Sequence, residues 1–156
     1  NIIMKKITSL LMALIVSFGI ASMFSGESYA DYAGNGDYTV NVYHDSSMSS
    51  QPMGGRVDDA FVKAIVTKNG DKYNVTFKTQ PIKYMGFSGA IEKMAIASQV
   101  IDYTSSPNPV PTTFQFSNLK LNESDGVLTS DFICNIRIAK YFHKKNVKCF
   151  FTLTKK

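Results

Sequence analysis

A period of two runs through most of the chain. Tyr38, Val40 and Val42 alternate with Thr39, Asn41 and Tyr43; Phe132, Cys134, Ile136 and Ile138 fall on one face of a later run; Val147, Cys149, Phe151 and Leu153 fall on one face of the last. Successive side chains leave a pleated strand on opposite sides, so each run predicts a strand with one buried face. The last two predict a closing hairpin over Asp131 to Thr154, joined by a basic connection, Tyr141 to Asn146, that carries His143. Ala60 to Lys68 and Lys72 to Thr79 flank Asn69-Gly70-Asp71. Asn-Gly between β-rich runs signals a tight hairpin, because both residues tolerate positive φ. Pro81 to Ile91 predicts another strand, loosened at Gly86 and Gly89, and Thr112 to Leu121 alternates Phe114, Phe116, Leu119 and Leu121. Glu92 to Tyr103 reads as strand, with Ala90 to Ala97 also compatible with a short helix.

The segments between these runs are turn-like. Pro107, Pro109 and Pro111 make Ser105 to Pro111 a loop, since proline cannot donate to a ladder. Asn122 to Gly126 is a turn, Asp31 to Asp37 a lead-in, and the serine-rich stretch His44 to Gly55 has room for one turn of 3₁₀ helix. About eight strands with little helix predict an all-β, antiparallel sandwich or barrel.

The first thirty residues follow a different rule. Met4-Lys5-Lys6 is basic, Ile7 to Phe24 is apolar with a few small polar residues, and Ser28-Tyr29-Ala30 carries small residues where a signal peptidase reads. The expectation is a secretory signal over residues 1–30, cleaved after Ala30, followed by one domain over 31–156; the competing reading is an uncleaved membrane anchor. No second apolar span, cell-wall sorting motif or C-terminal anchor follows. The product is therefore expected to be secreted or held at the cell surface, with no membrane span after cleavage.

The net charge of +5 is scattered, apart from Lys140, Lys144, Lys145 and Lys148 around the closing hairpin. Such a cluster attracts acidic ligands or surfaces without making a nucleic-acid-binding protein. Export opens two readings of Cys134 and Cys149, a disulfide between paired strands or two buried thiols. Catalysis has little support. The chain has two histidines, His44 and His143, no phosphate loop opening a helix, and only chance neighbours in the serines beside His44 and Asp45. The expectation is a protein that is not an enzyme. Met48 and Met53 suit a flat aromatic ligand or gap filling, His143 suits iron ligation or a solvated turn, and the lysines suit carboxylates or a solvated edge.

Gly36 to Val42, the Ser47-Met48 segment, Ala60 to Phe77 with its Asn-Gly turn, Pro81 to Gly89 and the closing hairpin together resemble the NEAT (near iron transporter) domains. These are haem-binding modules of Gram-positive surface and secreted proteins, and the resemblance runs from about Gly34 to Thr154. It implies an immunoglobulin-like β-sandwich of about eight strands, with a short 3₁₀ helix at Ser46 to Ser50 and the last hairpin gripping haem. The ligands it implies are Ser47, Met48, Met53, Tyr141, Lys144 and Val147 around the porphyrin and its propionates, with Met85 and Phe87 adding apolar contacts. The family's iron-binding members carry tyrosines four apart on the last hairpin. Here His143 and Val147 fall at those two positions, which makes His143 the expected iron ligand. Expected partners are haem and haemoglobin or other haem-relay surface proteins. The alternative is an exported protein-recognition or adhesion sandwich that binds no haem.

Overall fold

A computed structural model describes residues 33–156 except Arg56 and Tyr141. The expected signal segment, residues 1–30, and Tyr141 lie outside the described residues. Ten strands follow in chain order: β1 (Gly36–Tyr43), β2 (Phe61–Asn69), β3 (Lys72–Thr79), β4 (Ile82–Tyr84), β5 (Phe87–Ile96), β6 (Gln99–Asp102), β7 (Thr113–Leu119), β8 (Asn122–Ser124), β9 (Val127–Ala139) and β10 (Phe142–Lys155). They form one antiparallel sheet in the order β4-β5-β9-β10-β1-β2-β3-β7, with β6 added to β5 and β8 to β9. The sheet curls into a half-barrel. Its two ends approach where the Gln99 side chain accepts from Ser117 N–H and donates to Ser117 C=O, tying β6 to β7. The all-β, antiparallel expectation describes this molecule. The described residues hold ten strands where about eight were expected; three of the ten, β4, β6 and β8, are short and pair with one neighbour each.

Turn chemistry accounts for two of the boundaries. Asn69 pairs with Lys72, so the β2–β3 loop is Gly70-Asp71, with Gly70 at φ 65° in the first central position, where a two-residue hairpin needs a positive φ. Asn69 ends the strand and does not form the turn. Pro81 to Ile91 is likewise not one strand. Tyr84 pairs with Phe87 across Met85-Gly86, both at positive φ (49° and 82°). Ala90 to Ile96, where a helix competed, is strand.

The concave side holds the core. Tyr38, Val42, Phe77, Phe116, Leu128, Cys134, Phe151 and Leu153 are fully buried there, and residues 33–156 form a compact unit around it. The Phe77 ring meets Phe61, Phe116 and Phe151 edge-on, with centroids 5.6, 6.0 and 5.5 Å away. Edge-to-face aromatic pairs add to the burial term.

The closing hairpin differs from its expected form. β9 and β10 pair up to Ala139 and Phe142, so Phe142 to Asn146 belong to strand β10 and not to a connection. Cys134 lies opposite Val147, and Cys149 opposite Phe132. The two cysteines are therefore diagonal neighbours, roughly 7–8 Å apart between Cα atoms, at or beyond the limit for a disulfide without backbone movement. Both are buried free thiols. The hydrogen bond between them and burial push the Cys134 thiol well up, while the bond from Cys134 lowers Cys149.

Candidate functional site

The outer, convex side of β5, β9 and β10 carries an unusual row of charge. Arg137 follows the core residue Ile136 on β9 and therefore points outward, yet it is only 5 % exposed. The proline-bearing segment between β6 and β7 covers it. Arg137 donates to the Pro109 carbonyl at 2.9 Å and pairs with the Glu92 carboxylate. Thr79 holds the same segment through its hydroxyl on the Pro111 carbonyl and its N–H on Thr112 C=O. Three prolines remove donors from this segment but leave its carbonyls free to accept, and two of them do so here.

Glu92 is 3 % exposed. It is the extra residue of a bulge in β5, where Ile91 pairs with Ile136 and Lys93 with Asn135. A bulge re-aims a side chain; this one turns a carboxylate onto the covered face. A second bulge sits across β9, at the same level. Lys144 pairs with Ile136 and Val147 with Cys134, so Lys145 and Asn146 together oppose Asn135. Asn146 takes φ 53° and donates its N–H to the Asn135 side chain.

That second bulge decides where His143 goes. In an unbroken strand His143 and Val147 would share a face. The extra residue reverses the alternation between them. His143 pairs with Arg137 and lies on the outer face, with its Nδ1 3.2 Å from Glu92 Oε1. Val147 pairs with Cys134 and packs on the core, and Lys144 stands opposite Ile136, exposed. A carboxylate oxygen can only accept, so Nδ1 is the donor of this contact, and in the neutral ring Nε2 is then the nitrogen with a lone pair.

A cavity of about 610 Å³ lies between this row and the covering segment, within the size range of small-molecule sites. Glu92, Asn135 and His143 contribute from the sheet, and Ser106 and Asn108 from the segment. Lys93, Lys140 and Lys145 make the rim basic.

Ser47 and Met48 are not among the described residues lining this cavity. They follow β1 in a loop built around Asp45: Ser47 and Ser49 hydroxyls donate to its carboxylate, as does Ser49 N–H, and these bonds hold the Asp45 carboxyl below its usual range. Met48 takes φ 58° at its tip. The expected 3₁₀ turn at Ser46 to Ser50 lies instead at Pro52–Gly55 and includes Met53; another spans Asp58–Ala60. Of the expected residues, His143 lines the cavity, Lys144 and Val147 turn away from it, and Tyr141 is outside the described residues.

The sequence expectation gave Glu92, Arg137 and the proline-bearing loop no part in a site. Their one signal is a charged residue inside each of two apolar runs, Ile91-Glu92 and Ile136-Arg137-Ile138. Among the described residues no three His, Cys, Asp or Glu side chains gather as a metal cage. No helix among them is long and apolar enough to cross a membrane. Comparison with protein-family models, curated proteins and solved structures returns no match for this chain.

Proposed function

We propose that this is an exported, non-catalytic haem-binding domain of the NEAT type that captures or relays haem, with His143 as the iron ligand. The observation that carries the reading is the Glu92–His143 pair. Histidines that bind metals characteristically donate their second ring N–H to a carboxylate, which fixes the tautomer and the ring orientation. His143 has that partner on Nδ1, and the partner is itself held by Arg137.

Two further features support the reading, although the lining of the cavity is mostly polar. Haem brings two carboxylates, and Lys93 and Lys145 at the cavity rim offer cations for them. A single imidazole suffices as an axial ligand, so no cage of three protein ligands is needed. Bound iron would supply one coordination bond and a strong visible spectrum; the protein's part is to hold His143 in one tautomer. An immunoglobulin-like arrangement of the curled sheet, secretion, and exchange with haemoglobin or other relay proteins belong to the same proposal. The order of motifs from Gly36 to the closing hairpin supports them.

Titration of the purified protein with hemin tests the reading. The expected result is a saturable Soret band at one equivalent, lost in His143→Ala and weakened and shifted in Glu92→Gln. No stoichiometric band, or an unchanged one in His143→Ala, overturns it and favours a protein-recognition domain.

A further inference from the structure

The two hairpin ends beside the cavity carry large apolar side chains in solvent. β5 begins and β9 ends side by side, with Ala90 opposite Arg137 and Gly89 against the Arg137 carbonyl and the Ile138 backbone. The β4–β5 loop and the start of β10 therefore emerge at the same end of the sheet. There Met85 is 79 % exposed, Phe87 56 % and Phe142 68 %.

Met85 is the odd one. The Met85-Gly86 loop has both residues at positive φ, a position that favours asparagine, aspartate or glycine and disfavours a bulky side chain. Strain of this kind persists where it has a use. Here it sets a largely exposed methionine at the apex of a hairpin.

The segments that carry these tips hold charge of one sign. From Lys72 to Ile91 and from Phe132 to Lys156 the chain contains no Asp or Glu, and Lys83, Lys144 and Lys145 are exposed beside the apolar residues. Lysine is depleted from protein–protein interfaces, whose centres avoid charge, whereas apolar side chains ringed by lysines suit the headgroup region of an anionic bilayer.

We propose that Met85, Phe87 and Phe142 form a membrane-docking tip that inserts into the interface of an anionic lipid bilayer, with Lys83, Lys144 and Lys145 on the phosphates. The inference is independent of haem. It brings the mouth of the His143 cavity close to the lipid surface.

Co-sedimentation with vesicles tests it, using the Ala33–Lys156 unit so that the apolar N-terminal segment contributes nothing. Binding to phosphatidylglycerol–phosphatidylcholine vesicles is expected, with little to phosphatidylcholine alone and a loss as salt rises. Met85→Asn replaces a strained residue by one the turn prefers. It should raise Tm while lowering the partition coefficient by about tenfold, and Phe142→Ser should lower it similarly. No binding to anionic vesicles, equal binding to neutral ones, or full binding by the folded Met85→Asn and Phe142→Ser variants overturns the proposal. Binding of these tips to a protein without lipid affinity would do the same.

Discussion

Removing the Glu92 carboxylate strands Arg137 beneath the β6–β7 segment, where it still donates to the Pro109 carbonyl. Breaking one side of a buried ion pair costs about 3–5 kcal/mol, because the surviving charge stays desolvated. Glu92→Ala is therefore expected to lose about that much stability in urea unfolding, and Glu92→Gln less, since its amide oxygen still accepts. Gly89 poses the opposite problem, one of space. A Cβ there would lie 1.8 Å from the Arg137 carbonyl oxygen, on backbone that cannot step aside without separating β5 from β9. Gly89→Ala should cost about 3 kcal/mol or more, at the upper end of overpacking. Gly70→Ala, with nothing within 4 Å of its Cβ but φ at 65°, should cost about 1 kcal/mol from backbone strain alone. Comparison of the two alanine variants by chemical denaturation separates crowding from φ. Asp58 adds a pH term. Its carboxylate accepts from Val42 N–H and from the Asn41 and Gln51 side chains, yet burial outweighs the first two and raises its pKa. A raised folded pKa contributes stability below the unfolded value, 3.8, and loses it as pH rises through the folded value. The stability of the parent relative to Asp58→Asn should fall over that interval.

At the scale of the strand, the decisive feature is the extra residue in β10. Deleting Asn146 would restore strict alternation from Phe142 to Leu153, and with one face anchored in the core by Cys149, Phe151 and Leu153 the correction must appear at the other end. His143 would swing to the inner side and lose Glu92. The expected outcome is a folded protein whose hemin response falls to that of His143→Ala, read by Soret titration beside far-UV circular dichroism. Alternation alone made the core face of the closing hairpin legible, from Phe132 to Ile138 and from Val147 to Leu153. It could not reveal the bulge, because no glycine marks it and Asn146 takes the positive φ in its place. The Asn-Gly signal at residues 69 and 70 was read correctly as a hairpin, although the loop is one residue further on. Glu92 and Arg137 do not stand out in the sequence, because nothing in their own runs says that a proline-bearing segment elsewhere in the chain will cover them.

At the scale of the molecule, strand neighbours such as β5 beside β9 and β1 beside β10 join residues far apart in sequence, so local pattern gave the strands without their order. The register of β9 against β10, a hairpin, is the fact on which the position of His143 depends. It also makes a prediction that needs no ligand. Cys134 opposite Val147 and Cys149 opposite Phe132 leave the sulfurs diagonal, so an oxidising compartment should leave both as thiols. Folded protein should react slowly with thiol reagents, since both groups are buried, and Cys149, lowered by the bond from Cys134, should react before its neighbour as the strands open. In denaturant two thiols per chain should titrate. A count near zero would mean that the cysteines had been joined across the hairpin, which requires them to stand opposite each other. That outcome would shift β10 by two residues against β9 and move His143 away from its place opposite Arg137, where it meets Glu92.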